Sequence, residues 1–117
     1  MLNKNAANVG TGLVSSTYNK DIVKLQLVID EDDEFVSDVV CKVFGSDEIQ
    51  KSAECLSAIL IGLSFSDIIN LEPTDISDNL QCSELIFAAI QTAIHTYIRK
   101  RIDTDINLDS QLEKYNQ

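Results

Sequence analysis

The stretch VVCKVFGSDEIQKSAECLSAIL, residues 39–60, contains a change of period. Up to Gly45 the apolar residues Val39, Cys41 and Val43 alternate with their neighbours, the period of a half-buried strand. After it, Ile49, Ala53, Leu56 and Leu60 recur at helical spacing. Asp47 and Glu48 suit the positive end of that helix, and Gly62 is placed to stop it. Gly45 therefore divides a β-forming half from a helical half.

Upstream of this boundary the pattern is β throughout. DIVKLQLVID, residues 21–30, places Val23, Leu25, Leu27 and Ile29 on one side and Lys24 and Gln26 on the other. The acidic run from Asp30 to Glu34 interrupts it and lacks the D-x-D-x-D-G spacing of a calcium loop, so it reads as a solvated turn. FVSDVVCKVF then resumes as a strand, and the two predict an antiparallel hairpin. NVGTGLVSS, residues 8–16, is shorter and interrupted by glycines, which predicts an edge or bulged strand. Its G-x-G lacks a third glycine and precedes a strand, so it is a poor phosphate-binding signal.

Downstream, Ser64 and Asp67 have the form of a capping box that opens a short helix through Ile68 and Ile69, and Pro73 and Thr74 mark a brief turn. The last helix is predicted to start at a Ser83 cap. Leu85, Ile86, Ala89, Ile90, Ala93, Ile94 and Tyr97 give it a broad apolar face, and Arg99, Lys100 and Arg101 suit its C-terminal end. Beyond Ile102 the chain is polar and is expected to fray. Strands first and helices after predict an α+β fold, a small three-stranded antiparallel sheet with helices packed on one face. Its 117 residues form a single domain, with 1–7 and 103–117 as flexible tails.

Composition narrows the function classes. Nineteen Asp and Glu against nine Lys and Arg give a formal charge of -10, which disfavours nucleic acid and anionic membranes and favours a basic protein partner. No apolar stretch is long enough to span a bilayer, and residues 1–20 lack a charged segment followed by an apolar one, so a soluble, unsecreted protein is expected. Three cysteines, Cys41, Cys55 and Cys82, are odd in number and form no C-x-x-C pair, which fits a reducing compartment. There is no nucleophile elbow, phosphate-cradling glycine loop or H-E-x-x-H helix, so no enzyme is expected.

The layout brings three segment ends together: the turn before Asp21, the turn at Gly45, and the start of the long helix at Cys82. The residues at these ends carry a resemblance. NVGTGLV, D-x-V-K-L-Q-L-x-I-D, K-V-F-G before a helix, T-D-I, and C-S opening a long helix that ends near Y-I-R-K-R resemble, in order and spacing, the iron–sulfur cluster scaffold family of IscU and the NifU N-terminal domain. The likeness runs from Asn8 to about Asn79 and resumes to Arg101.

The resemblance implies a site of three cysteines and an aspartate around a nascent cluster, since iron and sulfide call for soft thiolates. By position, the first cysteine falls at Asn19, the aspartate at Asp21, the second cysteine at Ser46 and the third at Cys82. The family's histidine before the third cysteine falls at Gln81. Asp21 and Cys82 are thus the retained metal-site positions, and Asn19, Ser46 and Gln81 the substituted ones. The implied cofactor is iron or a [2Fe–2S] cluster, held weakly or shared with a partner, or none. The implied partners are a cysteine desulfurase and other iron–sulfur assembly proteins. The L-P-P-V-K segment read by a dedicated Hsp70-type chaperone has no counterpart in SDNLQCS, so that partner is not expected. The implied compartment is a bacterial cytoplasm or, second, a mitochondrial matrix.

Other donors offer less. Cys41 and Cys55 are expected to be buried and inert. Asp47 and Glu48 read first as helix N-terminal acids, although their oxygens could join Asp21 and Cys82 in a hard, mixed site. His95, between Ile94 and Thr96, reads as structural or surface-exposed. Three functions follow: an assembly scaffold with a degenerate cluster site, a ligand-poor paralogue that binds and regulates the desulfurase or the active scaffold, or a small metal-binding or sulfur-accepting protein using Cys82.

Overall fold

The computed structural model describes residues 7–17, 20–77 and 79–115, with side chains omitted at 80 and from 103 onward. The expected N-terminal tail therefore lies almost wholly outside the described residues, as does Asn19. Three strands, β1 (Val9–Ser15), β2 (Ile22–Asp30) and β3 (Phe35–Phe44), form an antiparallel sheet in the order β1-β2-β3. Helices follow: α1 (Asp47–Glu54), α2 (Leu56–Leu60), α3 (Phe65–Ile69), a 3-10 turn at Pro73–Asp75, and α4 (Leu80–Tyr115). The α+β class and the strand-then-helix order agree with the periodicity.

The hairpin between β2 and β3 sets Val23 opposite Val43, Leu25 opposite Cys41 and Leu27 opposite Val39. The register shifts between Val28 and Ile29, so Val36 pairs with Ile29 and Ser37 is the extra residue on β3, its Oγ donating to the Val28 carbonyl at 3.2 Å. This bulge returns Val36 to the buried face that Val39 already occupies. The acidic connection is a turn, as expected: Asp30 Oδ1 accepts from the backbone N–H of Asp32 (3.0 Å) and Asp33 (3.2 Å), and Glu34 takes a positive φ of 56°.

One face of the sheet carries the core. Val23, Leu25, Leu27, Ile29, Val36 and Val39 pack against Ile49, Leu56 and Leu60 of α1 and α2 and against Ile86, Ala89, Ile90 and Ala93 of α4. The glycines of β1 are not bulge residues. A Cβ on Gly10 would strike the Ala93 carbonyl and one on Gly12 the Ala89 carbonyl, so both permit close seating of α4 on the edge strand. Lys100 fastens the far end of that contact, its Nζ donating to the Val9 carbonyl at 2.7 Å.

Several caps follow the sequence. In the Ser64 capping box, Ser64 N–H donates to Asp67 Oδ2 (3.1 Å) and Asp67 N–H to Ser64 Oγ (3.2 Å). Gly62 follows α2 with φ 93°. The Gly62–Leu63 segment pairs with Val36 through Val36 N–H to Leu63 O (2.9 Å) and Gly62 N–H to Val36 O (2.8 Å), which shields the start of the otherwise open β3 edge.

Four expectations need correction. The helix after Gly45 is two helices: Cys55 breaks it, and its 50s register turns Cys55 outward while Leu56 turns in. Cys55 is accordingly exposed and Cys41 only half-buried, so neither is the fully buried cysteine that the pattern suggested. Ser83 is not the cap of α4. The helix begins at Leu80, Asn79 caps it by accepting from Cys82 N–H at Oδ1 (3.1 Å) and from Ser83 N–H at its carbonyl (2.9 Å), and Ser83 is buried. Finally, the backbone of α4 continues helically past Ile102 to Tyr115, where fraying was expected.

Candidate functional site

The three segment ends do meet. Ser16 N–H donates to the Asp21 carbonyl at 2.9 Å, closing the β1–β2 connection and placing Asp21 at the mouth of β2. Ile22 pairs with Phe44, so Gly45 and Ser46 leave β3 directly beside it. Gly45 has φ 133°, a backbone region that side chains avoid, and a Cβ there would run into the Asp21 carboxylate. Glycine is thus required twice over at this turn.

Ser46 is the hub. Its N–H donates to Asp21 Oδ1 at 2.8 Å, its hydroxyl donates to Asp21 Oδ2 at 3.1 Å, and its Oγ accepts from Ile49 N–H at 3.4 Å as the N-cap of α1. Asp21 itself is 4% exposed. A buried carboxylate needs such donors, because burial without them is costly. Gln50 Nε2 adds a bond to the Gly45 carbonyl at 3.3 Å, tightening the same turn.

Cys82 enters from the first turn of α4 and is buried. Burial pushes its thiol pKa up; a hydrogen bond from Ser52 opposes this, and the negative charges of Asp21 and Glu48 add to the upward shift. A helix N-terminus tends to lower a thiol pKa, but at Cys82 the burial outweighs it. Ser52 is the residue that sequence reasoning missed. Its hydroxyl lies 2.9 Å from the Glu48 carbonyl and 3.1 Å from Ser77 Oγ, so it links α1 to the segment before α4. One signal was available: Ser52 lies three residues after Ile49 and four before Leu56, on the inward stripe of the helix.

The remaining candidates are dispersed. Gln81, beside Cys82, is exposed. Asp47 and Glu48 lie in the first turn of α1, the N-terminal acids expected there. His95 is exposed on α4. Cys41 sits in the sheet, where burial pushes its pKa to about 11. Among the described residues no three His, Cys, Asp or Glu side chains come together as a metal site. One thiol and one carboxylate already engaged by Ser46 do not match the four soft ligands of a [2Fe–2S] cluster.

The chain is thus a two-layer α+β domain of strand order β1-β2-β3, with an aspartate, a strand-to-helix turn and a helix-borne cysteine at one end. The chain belongs to the NifU-like N terminal domain family, which matches residues 1–104. It is 32% identical over 109 residues to iron-sulfur cluster assembly protein 1 of Arabidopsis thaliana, covering 87% of this chain and 65% of the relative. It is 30% identical over 107 residues to the mitochondrial iron sulfur cluster assembly protein 2 of Saccharomyces cerevisiae, covering 86% and 69%. It is 35% identical over 107 residues to the iron-sulfur cluster assembly scaffold protein IscU of Rickettsia prowazekii, covering 86% and 81%. The chain thus spans somewhat less than two thirds of the Arabidopsis relative's length. The relatives come from both mitochondria and a bacterium. No helix among the described residues is long and apolar enough to cross a membrane.

Proposed function

We propose that this chain works in iron–sulfur cluster assembly as a non-catalytic scaffold-like protein whose own ligand set is incomplete, so that any cluster it carries is shared with thiolates of a partner. The observation that carries this reading is the serine, Ser46, hydrogen-bonded to Asp21 where the resemblance puts a second cysteine, with Cys82 close enough for the charge of Asp21 to act on its thiol. The fold supplies the platform and Cys82 a soft donor beside Asp21. Iron and sulfide are then cargo, and the partner is a cysteine desulfurase together with other assembly proteins. Release through an Hsp70-type chaperone that reads L-P-P-V-K is not part of the proposal. The compartment proposed is a bacterial cytoplasm, with a mitochondrial matrix second.

A docking surface is consistent with it. Ile22 and Phe44 face each other across β2 and β3, Leu13 lies one diagonal away on β1, and the three are 43%, 78% and 63% exposed on the sheet face opposite the core. Clustered exposed apolar side chains mark interaction sites. The patch adjoins the Asp21–Ser46 turn, so a bound partner would stand over the site.

The test is anaerobic reconstitution with Fe(II), cysteine and a cysteine desulfurase, reading visible absorption, iron and sulfide for the native chain and for Cys82→Ala. A cluster that requires both the partner and Cys82 is the expected result. Neither cluster nor stable complex with the desulfurase would overturn the proposal. A complex without a cluster would favour the second reading, a regulator of the desulfurase, to which the engagement of Asp21 by Ser46 also lends support.

A further inference from the structure

Helix α4 outruns the sheet on which it packs. Its seat runs from Ala89 and Ala93, over the glycines of β1, to Lys100, whose Nζ reaches the carbonyl of Val9 at the first residue of that strand. Arg101 meets the sheet at the same end, its Nη1 donating to Tyr97 Oη at 3.2 Å and lying 3.8 Å from Glu31 in the β2–β3 turn. The helix backbone then continues to Tyr115, about 20 Å of helix past these contacts at 1.5 Å per residue. The molecule accordingly measures 59 Å along its longest axis against 27 and 23 Å across. On the near side of this overhang, α3 and α4 leave a groove of about 760 Å³ between them. Ile69, Phe87 and Ile94 give it apolar walls, and His95 and Arg99 stand on its α4 side. Exposed Ile98 and Ile102 carry the apolar stripe on toward the overhang. Lys100 and Arg101 are held within the chain, whereas neither His95 nor Arg99 has a hydrogen-bond or ion-pair partner among the described residues.

We propose that a second copy of this chain fills the groove, the two α4 helices pairing antiparallel about a two-fold axis at Ile102. Charge selects the occupant. Along α4 a basic stretch with Arg99, Lys100 and Arg101 is followed by an acidic one with Asp103, Asp105, Asp109 and Glu113. The helix is continuous, so its acidic half cannot fold back onto its own groove, but the acidic half of another copy can lie there. Helical spacing sets the register. Ile94, Ile98, Ile102, Asp105, Asp109 and Leu112 follow one another at intervals of three or four, so these positions share one face of the helix. Pairing two such faces antiparallel about Ile102 sets position 98 against Ile106, Arg99 against Asp105 and His95 against Asp109, each pair occurring twice by symmetry. A parallel pairing would set Arg99 against Arg99 and Asp105 against Asp105, which like-charge repulsion disfavours. The isoleucines supply apolar burial, and the charge pairs fix the direction. This contact lies on the helical layer and leaves Leu13, Ile22 and Phe44 open on the sheet face opposite the core, so it stands independently of the proposed function.

Sedimentation equilibrium of the full chain over a concentration series tests it. The expected result is a concentration-dependent equilibrium between monomer and dimer. Arg99→Glu and Asp105→Arg should each raise the dimer Kd at least tenfold, because each sets like charges against one another at two symmetric places. Combining the two restores opposite charges and should recover most of the lost affinity, an outcome that a mere effect on folding would not give. Glu and Arg are both good helix formers, so these variants retain α4. Direction is read by mixing Ile98→Cys and Ile106→Cys chains, each also carrying Cys55→Ser to remove the exposed native thiol, under a mild oxidant. Mass spectrometry should then find the disulfide between positions 98 and 106 in preference to that between two copies of 98. A chain that stays monomeric at every concentration overturns the proposal, as does a dimer whose Kd neither single variant moves. A preference for the bond between two copies of position 98 overturns the antiparallel register. A dimer lost in Phe44→Asp but kept in Arg99→Glu would place the contact on the sheet and overturn the proposal as well.

Discussion

At the scale of single residues, Gly45 and Ser52 shape the chemistry as much as the candidate ligands do. Gly45→Ala would place a side chain in a backbone region that costs on the order of 1–3 kcal/mol and would press a Cβ against the Asp21 carboxylate. A loss of at least that size, read from urea unfolding, is the expected outcome; an unchanged midpoint would mean that the turn relaxes freely. Ser52 acts through Cys82. Its hydrogen bond lowers the thiol pKa against the larger upward effect of burial, so Ser52→Ala should move the pH midpoint for alkylation of Cys82 upward, measured by mass spectrometry across a pH series. In the same experiment exposed Cys55 should be alkylated first. Cys41 should lag until the pH nears about 11, because its thiolate is disfavoured by burial. The linkage has a definite sign. A thiol whose folded pKa is raised from 9.0 to about 11 stabilises the fold below 9.0 and loses that contribution as the pH rises toward 11. The meeting of Asp21, Ser46 and Cys82 was legible because each sits at a segment end marked by a change of period. What the bonds do there was not, since a carboxylate reads the same in sequence whether it faces a metal or a serine.

At the scale of elements, the strands were legible from alternation alone, because Val23, Leu25, Leu27 and Ile29 all turn to the core as their spacing requires. The bulge at Val28 and Ile29 was not, since nothing in FVSDVV marks Ser37 as the extra residue until its partner strand is in register. Glycine reads ambiguously for the same reason. Gly10 and Gly12 suggested an edge or a bulged strand; β1 is the edge, and the glycines give clearance for the carbonyls of Ala93 and Ala89 across the packed layer. Gly12→Ala should therefore push α4 from β1 and destabilise the fold by about 1–3 kcal/mol, the usual cost of overpacking. Thermal and urea midpoints would both check it; a neutral result would show that α4 shifts without loss. The misplaced start of α4 has a similar cause. Ser83 has a capping side chain, but Asn79 has one too, and only the buried position of Ser83 inside the first turn decides between them.

At the scale of the whole molecule, two properties bear on partner choice: a formal charge of -10 and an exposed apolar patch of Leu13, Ile22 and Phe44 on the sheet face opposite the core. They make different predictions for the kinetics of binding a cysteine desulfurase. Charge acts at a distance and is screened over a Debye length of about 10 Å at 0.1 M salt and about 3 Å at 1 M, so it should govern the association rate. The apolar patch acts only on contact, so it should govern dissociation. Phe44 is 78% exposed and opposite Ile22, so Phe44→Asp removes an anchor without opening the core. The expected outcome, by surface plasmon resonance over a salt series, is an association rate that falls steeply with salt for the native chain. Phe44→Asp should raise Kd at least tenfold, about 1.4 kcal/mol, mostly through faster dissociation. A salt-independent association rate would remove charge from the account of partner choice, and an unchanged dissociation rate in Phe44→Asp would move the docking surface away from the sheet. Because the patch adjoins the Asp21–Ser46 turn, the same variant should also lower cluster formation in the presence of the desulfurase.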